Sequence, residues 1–416
     1  MRNTNKKGFT IVELVVVVAV IAILAAVLIP TFSGIIAKAN LSADQSAVTN
    51  MNKILATKEC ATISDAIILL DANGLDLEDY KPLSKDHFFY FVNGRIILAD
   101  KNDSVVFPKN AKVDGQWMTL SGEVPMDDNY TVADNGSVSI DSGAKLVHLM
   151  NTVANGGLTT TEALNITLSD DIDLKGTTIN FGQVTKNITL NCNGNEITGL
   201  RADTNAITGG WEGKDKAFGF SLFGIIEAGT TVEVKNVNFS NVIIRDTTNI
   251  QSGMAGVIAG QVKGTLKVEN VKIDNCHVYG GDKVGVIAGY VTGNISINKV
   301  TVTNSSANGV AYVAKAIGLV GGNSTLSITD STFDVTTSVY DAKWSDIWWD
   351  SDKNWEGNTI STSDFYTDAN GNVYTKWTNN AGNKILFGTV GNGKYWQGKT
   401  EITIDGVAHQ ADAIHN

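Results

Sequence analysis

A single carboxylate interrupts the most apolar segment of this 416-residue chain. Residues 9–29 are nearly all apolar, and Glu13 is the one charged residue among them. A carboxylate placed in hydrocarbon costs about 3 kcal/mol even on lenient insertion scales, so it needs a partner. The segment itself contains no cation. We therefore expect Glu13 to pair with a cationic group outside its own helix.

Asp170, Asp171 and Asp173 form a second group of carboxylates. Paired carboxylates can serve acid–base hydrolysis of glycosidic bonds or bind Ca²⁺. A catalytic groove would gather such residues from several neighbouring repeats, and this cluster does not recur in the later repeats of the chain. The sequence favours solvated turn residues, and we expect no enzymatic activity, no cofactor and no metal site.

Six of the eight tryptophans lie in the C-terminal part of the chain. Exposed tryptophans beside Asp and Asn can stack on sugar rings or form an interaction patch. Trp344, Trp348, Trp349 and Trp355 are the candidate contacts for a glycan or a partner. The alternative is that these indoles cover the last coil of a repeat structure, whose end must be capped. The two roles can coexist.

Histidine and cysteine offer little further chemistry. His87 has no second ligand nearby in the sequence, and we expect an ordinary surface histidine. Cys60, Cys192 and Cys276 have neither the spacing of a zinc site nor the number for a disulfide scaffold. Cys192 is expected to point inward as a small apolar side chain. A bridge between Cys192 and Cys276 stays open, although it would span several coils.

The apolar segment is long enough to cross a membrane. Residues 9–29, as a helix, can span a hydrocarbon core of about 30 Å. Arg2, Lys6 and Lys7 precede it, so the positive-inside rule places residues 1–8 in the cytosol and the bulk of the chain outside the cytoplasm. Pro30 follows instead of the small residues of a secretory cleavage site, and it should kink the helix or weaken its hydrogen bonding.

Residues 8–14 (Gly-Phe-Thr-Ile-Val-Glu-Leu) resemble the type IV prepilin leader. The resemblance implies that a prepilin peptidase cuts after Gly8 and methylates the new amine of Phe9. It also implies that Glu13 pairs with the N-terminal ammonium of a neighbouring subunit and so sets the axial register of packed helices. An ordinary single-pass anchor with a tolerated glutamate is the alternative.

An amphipathic pattern continues beyond Pro30 and predicts one helix over residues 9–58. At 1.5 Å per residue this helix would be about 75 Å long. Residues 59–108 are predicted to form a small pilin-like head, with a short helix, a hairpin closed by Asn93-Gly94 and a third strand. Residues 109–136 are polar and irregular, and we interpret them as a linker.

The rest of the chain differs in composition. All four prolines lie in the first 125 residues, whereas 35 of the 41 glycines follow them. A long stretch without proline suits strands that are paired on both edges. Within it the pattern Φ-x-Φ-x-x-Φ-x-Φ, where Φ is apolar, begins at Val232, Leu266, Ile295 and Leu326, separated by 34, 29 and 31 residues.

Two further features accompany these repeats. Coils that match the pattern less well begin at Ile166 and Ile188. A glycine motif precedes the copies that begin at Leu266, Ile295 and Leu326. The motif is Val-Ile-Ala-Gly at 257–260 and 286–289, and Gly-Leu-Val-Gly at 318–321 is taken as the third copy. Apolar pairs that recur every 22 to 34 residues are typical of stacked strand–turn–strand coils, with Asn and Gly at the corners.

Residues 137–335 also resemble bacterial surface proteins that carry GLUG-type repeats in a right-handed β-helix. The resemblance rests on an entry coil at 165–175, a cap helix at 143–157 and the stretch Asn-Gly-Asn-Glu-Ile-Thr-Gly-Leu at 193–200. It implies a right-handed parallel winding closed at its N-terminal end by that helix.

The predicted fold class is therefore mixed. A long N-terminal α-helix with a small α+β head precedes an all-β solenoid at residues 137–340, whose N-terminal end carries the cap helix. Residues 341–416 are predicted to be a tryptophan-rich C-terminal cap or interaction region.

The function expected is that of a type IV pilin-like surface subunit that acts in adhesion or as a minor or tip pilin. The alternatives are a pseudopilin of a type II-like secretion or DNA-uptake system, and a surface-tethered polysaccharide-active enzyme. The expected partners are prepilin peptidase, other pilin-like subunits, the membrane and a surface glycan or host ligand. A net charge of −11 argues against nucleic acid, which requires a basic face.

Replacing the residue before the cleavage site tests the leader. Gly8→Ala should leave an uncleaved precursor, because the peptidase of the resembling family cuts after glycine. The mass of the chain in membranes measures this directly. A mature form that appears normally in Gly8→Ala would contradict the interpretation.

Overall fold

The computed structural model describes residues 11–60, 63–76, 78–158, 162–177, 181–203, 218–245, 253–280, 283–309, 312–321 and 324–339, with strands at 365–367, 372–378, 384–389, 401–404 and 407–410. The chain divides into two compact units, residues 1–112 and residues 113–416.

The first unit begins with a long helix, α1 (Ile11–Leu55). Its 45 residues extend about 67 Å at 1.5 Å per residue. The helix continues through Pro30. Val48, Met51 and Leu55, near its C-terminal end, are at most 5% exposed. The single long helix predicted from the apolar pattern is confirmed, and only its C-terminal part takes part in a globular core.

A small antiparallel sheet completes the first unit. The remaining elements are α2 (Ile63–Asp71), β1 (His87–Val92), β2 (Arg95–Asp100) and β3 (Val105–Phe107). The middle strand, β2, pairs with both of the others. Asn93 and Gly94 have φ values of 50° and 78°, the left-handed values that a two-residue hairpin turn of type I′ requires. The predicted helix, hairpin and third strand are confirmed.

Asn52 attaches α1 to the sheet. Its side-chain oxygen accepts a hydrogen bond from the Ile96 N–H at 2.8 Å, and its Nδ2 donates to the Ile96 carbonyl oxygen, also at 2.8 Å. The amide thus satisfies both backbone groups of one β2 residue, as a neighbouring strand would.

The second unit consists of one helix and many short strands. In chain order its described elements are β4 (Met118–Thr119), β5 (Ser137–Ile140), α3 (Gly143–Ala154), β6 (Leu164–Leu168), β7 (Ile172–Asp173), β8 (Gln183–Val184), β9 (Ile188–Asn191), β10 (Glu196–Thr198), β11 (Arg201–Asp203), β12 (Phe218–Phe220), β13 (Phe223–Ile226), β14 (Thr231–Ser240), β15 (Ile243–Arg245), β16 (Met254–Ala255), β17 (Ala259–Val262), β18 (Thr265–Asp274), β19 (His277–Tyr279), β20 (Lys283–Val284), β21 (Ala288–Val291), β22 (Asn294–Gly309), β23 (Tyr312–Val313), β24 (Ile317–Val320), β25 (Thr325–Thr329), β26 (Thr332–Val339), β27 (Phe365–Thr367), β28 (Asn372–Thr378), β29 (Lys384–Thr389), β30 (Glu401–Ile404) and β31 (Val407–Gln410).

These strands stack in parallel as a β-solenoid of about 5 turns. On one face β14, β18 and β22 pair in parallel along their length, and β25 and β26 extend the stack. A second face is a five-stranded sheet with the order β24-β21-β17-β13-β8. A third begins with β12, β16, β20 and β23. The predicted parallel coil architecture is confirmed.

The apolar residues of the repeat pattern form columns along the inside of the solenoid. All of them are at most 6% exposed, and a fully buried Val, Leu or Ile side chain contributes about 1.5–3 kcal/mol. The four columns are Val232, Leu266, Ile295, Leu326; Val234, Val268, Ile297, Ile328; Val237, Val271, Val300; and Phe239, Ile273, Val302, Phe333.

The predicted start of the first coil is wrong by two residues. Leu164, not Ile166, pairs with Ile188, and Ile166 pairs with Leu190. Leu164, Ile166 and Leu168 alternate and are all buried. Because buried residues recur at every second position, the sequence is compatible with a coil that starts at Leu164 or at Ile166. Only pairing with the neighbouring coil determines the register.

The third copy of the glycine motif is also displaced from its predicted place. Ala259 pairs with Ala288 and Ala288 with Ile317, so Gly318 takes the position of Gly260 and Gly289. The copy is residues 315–318 rather than 318–321. The reason is steric, because a Cβ on Gly318 would lie 2.3 Å from the Val284 backbone nitrogen. The structure thus requires glycine at that one close approach.

Asparagine side chains form ladders at the corners between coils. Asn270 Nδ2 donates to Asn236 Oδ1 at 2.8 Å, and Asn275 Nδ2 donates to Asn241 Oδ1 at 2.7 Å. All four residues have φ between 51° and 54°, a left-handed conformation that asparagine tolerates better than most residues. Each of these asparagines therefore adopts the backbone conformation of a corner and links its coil to a neighbouring coil through its side chain.

A helix, α3, forms within the segment where the cap helix is predicted, and it packs into the solenoid core. Ser142 is its N-cap and accepts a hydrogen bond from the Lys145 N–H. Leu146, Leu149 and Met150 are fully buried in the solenoid core. That the helix closes the N-terminal end of the solenoid stays a prediction.

The segment predicted as a linker is bonded to the solenoid over part of its length. The Thr119 N–H donates to the Lys175 carbonyl oxygen at 2.8 Å, and Arg201 Nη1 donates to the Thr119 carbonyl oxygen at 3.1 Å. Arg201 is 1% exposed. Residues 113–136 belong to the second unit, while the finer predicted division into domains stays a prediction.

Strands of the C-terminal region continue the stack. β30 pairs in parallel with β25, with Leu326 opposite Ile402, and it forms an antiparallel pair with β31. A tryptophan-rich cap over the last coil stays a prediction, since residues 340–364 lie outside the described part of the chain.

Removing the Asn52 amide should loosen the sheet of the first unit. Asn52→Ala leaves the two half-buried backbone groups of Ile96 without their partner, which costs about 1–3 kcal/mol. We expect faster amide hydrogen exchange in peptides covering residues 87–100 of the full-length chain. Asn50→Ala is the matched control, because Asn50 is exposed on the same helix. Equal exchange in the two variants would contradict this role.

Candidate functional site

The N-terminal half of α1 is apolar on every side. Ile11, Val12, Leu14 and Ile23 are between 58% and 81% exposed, and the described residues around them show the same pattern. By length and composition this helix can cross a membrane. Such a surface needs lipid or neighbouring apolar helices around it, because water around it is costly.

Glu13 lies in the first turn of the described helix. Gly8 and Phe9, the predicted processing and methylation residues, lie outside the described residues. The assembly role of Glu13 stays a prediction.

The carboxylates of Asp170, Asp171 and Asp173 accept hydrogen bonds from backbone N–H groups at a corner of the solenoid. Asp171 Oδ1 accepts a hydrogen bond from the Glu196 N–H of the next coil, and Asp173 Oδ1 accepts one from the Lys175 N–H, both at 2.8 Å. Asp170 Oδ1 accepts from the Asp171 N–H at 2.8 Å. These bonds agree with the interpretation as turn residues. Within the described residues, no group of three His, Cys, Asp or Glu side chains could hold a metal ion.

The three cysteines are buried and free. Burial raises the pKa of the Cys276 thiol to about 12 and raises that of Cys192 as well. Both therefore stay protonated at neutral pH and behave as small apolar groups. Cys192 is fully buried, as predicted from its alternation, and the bridge to Cys276 that the sequence left open is absent between these two described residues.

The remaining candidates from the sequence are His87, expected to be an ordinary surface histidine, and the four C-terminal tryptophans expected to contact a glycan or a partner. His87 is partly exposed, and its Nδ1 lies 2.8 Å from the Lys85 carbonyl oxygen. Trp344, Trp348, Trp349 and Trp355 all lie outside the described residues. Their proposed contacts with a glycan or a partner are therefore a matter for experiment.

One cluster on the solenoid is not evident from the sequence. Lys283 Nζ lies 5.2 Å from the Tyr290 ring centroid and 5.6 Å from that of Tyr312. Burial lowers the pKa of Lys283 to about 8. Lys283 and Tyr312 are neighbours on paired strands, so the correct register would have predicted their contact. The cation and the two rings stabilise adjacent coils.

Comparison with known families agrees with the N-terminal geometry. Residues 3–29 match the family model described as the prokaryotic N-terminal methylation motif. No solved structure matches the chain. A prepilin-type motif followed by a β-solenoid fits a type IV pilin-like protein with a β-helix.

The motif has consequences for processing and location. It implies cleavage by prepilin peptidase and assembly with other pilins. Together with the apolar helix it indicates a membrane-anchored, pilus-associated protein.

Proposed function

We propose that this chain is a minor or tip pilin-like subunit that presents its β-solenoid outside the cell for adhesion. The observation that carries the proposal is the methylation motif at residues 3–29 on the same chain as a large β-solenoid. The motif would direct the chain into a filament. The solenoid provides a rigid surface that is not needed for filament assembly.

The proposed topology follows from charge. Arg2, Lys6 and Lys7 lie in the leader and favour the cytosolic side. α1 then crosses the membrane and both folded units lie outside the cytoplasm. After cleavage the three cations leave with the leader, so the mature chain is more acidic than the precursor.

Size favours a minor position in the filament. The second unit comprises residues 113–416, whereas the first comprises residues 1–112. Subunits that pack their α1 helices closely around one axis have little room for such a unit on every copy. A subunit at the tip, or one that is sparse along the filament, avoids this crowding.

The proposed ligand is a surface glycan or a host molecule bound without chemical change. Aromatic rings beside Asp and Asn suit sugar rings and their hydroxyl groups, and Trp344, Trp348, Trp349 and Trp355 provide this combination. The carboxylates of Asp171 and Asp173 bond to backbone N–H groups, which supports a binding role over an enzymatic one. The acidic chain is not expected to bind nucleic acid.

The four tryptophans provide the test of ligand binding. The full-length chain in detergent is applied to a glycan array, and the variant with all four tryptophans changed to Ala is compared with it. We expect at least about tenfold weaker binding in that variant, because each aromatic contact contributes about 0.5–1.5 kcal/mol.

A variant with the same four residues changed to Tyr is the matched control, since it keeps aromatic rings at each position. It should retain most of the binding. Absence of binding by the wild-type chain to every glycan would contradict lectin-type adhesion, and equal binding by the Ala and Tyr variants would exclude the tryptophans as the site.

A further inference from the structure

The first unit contains an open groove beside the part of α1 that follows the apolar segment. Its volume is about 490 Å³, and Ser33, Ile36 and Ala37 of α1 form one wall. Leu83 and Lys85 form the opposite wall. We call this the collar groove.

The segment opposite α1 is held firmly by its backbone. Asn40 Nδ2 donates to the Leu83 carbonyl oxygen at 3.1 Å, and the Asp44 carboxylate accepts from the N–H groups of Leu83 and Ser84 at 2.8 and 2.9 Å. Asp44 is only 2% exposed, and its backbone bonds offset the cost of burying a carboxylate. Both backbone groups of Leu83 are therefore used to fix its position.

The Leu83 side chain is nevertheless 65% exposed. Ile36, on the opposite wall, is 56% exposed. Leu83 and Ile36 line the same groove, and contiguous exposed apolar surface marks a site that is covered in the working molecule.

The position of the groove along α1 indicates what covers it. The predicted membrane segment ends at residue 29, and Ser33 follows four residues later. At 1.5 Å per residue Ser33 lies about 6 Å beyond the hydrocarbon core, within the headgroup layer. The groove thus begins at the level of lipid headgroups.

The charge of the groove complements an anionic headgroup. Lys38 and Lys85 line it and are exposed, and within the described residues neither has an ion-pair partner. The nearby Asp86 is paired with Lys101 at 3.9 Å. This basic rim contrasts with the net charge of −11 of the chain as a whole. Lysine stems can lie along apolar surface while their ammonium groups reach phosphate.

We propose that the collar groove binds the headgroup of an anionic phospholipid of the membrane that holds α1. Lys38 and Lys85 contact the phosphate, and Leu83 and Ile36 contact the upper part of the acyl chains. The bound lipid orients the first unit on the bilayer before assembly. The proposal depends on α1 lying in a bilayer and is independent of adhesion.

Native mass spectrometry of the full-length chain in detergent tests this proposal. Phosphatidylglycerol and phosphatidylcholine are titrated separately, and their adducts are counted. We expect a phosphatidylglycerol adduct at concentrations where phosphatidylcholine gives none. The double variant Lys38→Gln/Lys85→Gln should bind phosphatidylglycerol about tenfold more weakly, since each lysine near a membrane surface contributes to attraction of anionic lipid.

Lys53→Gln/Lys58→Gln is the matched control, because both lysines are exposed, Lys53 in the last turn of α1 and Lys58 three residues after its end. It should bind phosphatidylglycerol like the wild type. Equal adducts with the two lipids, or equal loss in the two double variants, would overturn the proposal. A dimer that forms in place of the lipid adduct would also overturn it, by assigning the groove to a second copy of the chain. Unchanged hydrogen exchange over residues 87–100 confirms that the variants are folded.

Discussion

The N-terminal half of α1 presents apolar side chains in every direction, and this constraint governs the rest of the molecule. Water cannot surround such a helix without a large hydrophobic cost, whereas lipid or sister helices can. Glu13 is the one charged residue of this segment in the sequence, and a carboxylate in hydrocarbon is costly, so we expect it to pair with a cationic group. A helix with these properties suits two states, a monomer held in the bilayer and a subunit packed in a filament. The methylation motif at residues 3–29 agrees with both.

The solenoid satisfies a different constraint. A single coil cannot bury its apolar row, so stability comes from neighbouring coils that share inward columns and backbone bonds. In the repeat that begins at Leu326, Ser331 stands at the third apolar position of the pattern, where its Oγ accepts from the Val300 N–H of the preceding coil at 3.0 Å and donates to the Thr329 carbonyl oxygen at 2.7 Å. The absence of proline after residue 125 suits the same requirement, because N–H groups of an interior coil donate to both neighbours: the Phe223 N–H donates to the Ile258 carbonyl oxygen and the Ile225 N–H donates to the Gly182 carbonyl oxygen.

Features that depend on local chemistry were predictable from the sequence. Asn93-Gly94 specifies its hairpin because few other pairs tolerate two left-handed residues, and the apolar spacing of the repeats identified their inward columns. Features that depend on distant residues were not predictable. The bonds between Asn52 and Ile96 join residues 44 positions apart, and the place of Gly318 is decided by the backbone of a preceding coil. Of the candidate site, the motif and Glu13 follow from sequence, whereas the collar groove required the folded arrangement of α1 and Leu83.

The most direct test of the central claim, that α1 carries this solenoid into a filament, is to locate the second unit in cells. Immunogold electron microscopy with an antibody against residues 113–339 can be applied to filaments sheared from cells and to membranes of the same cells. We expect label on sheared filaments, sparse and concentrated at their ends, with a second pool in the membrane. Label confined to membranes, with none on any filament, would contradict it.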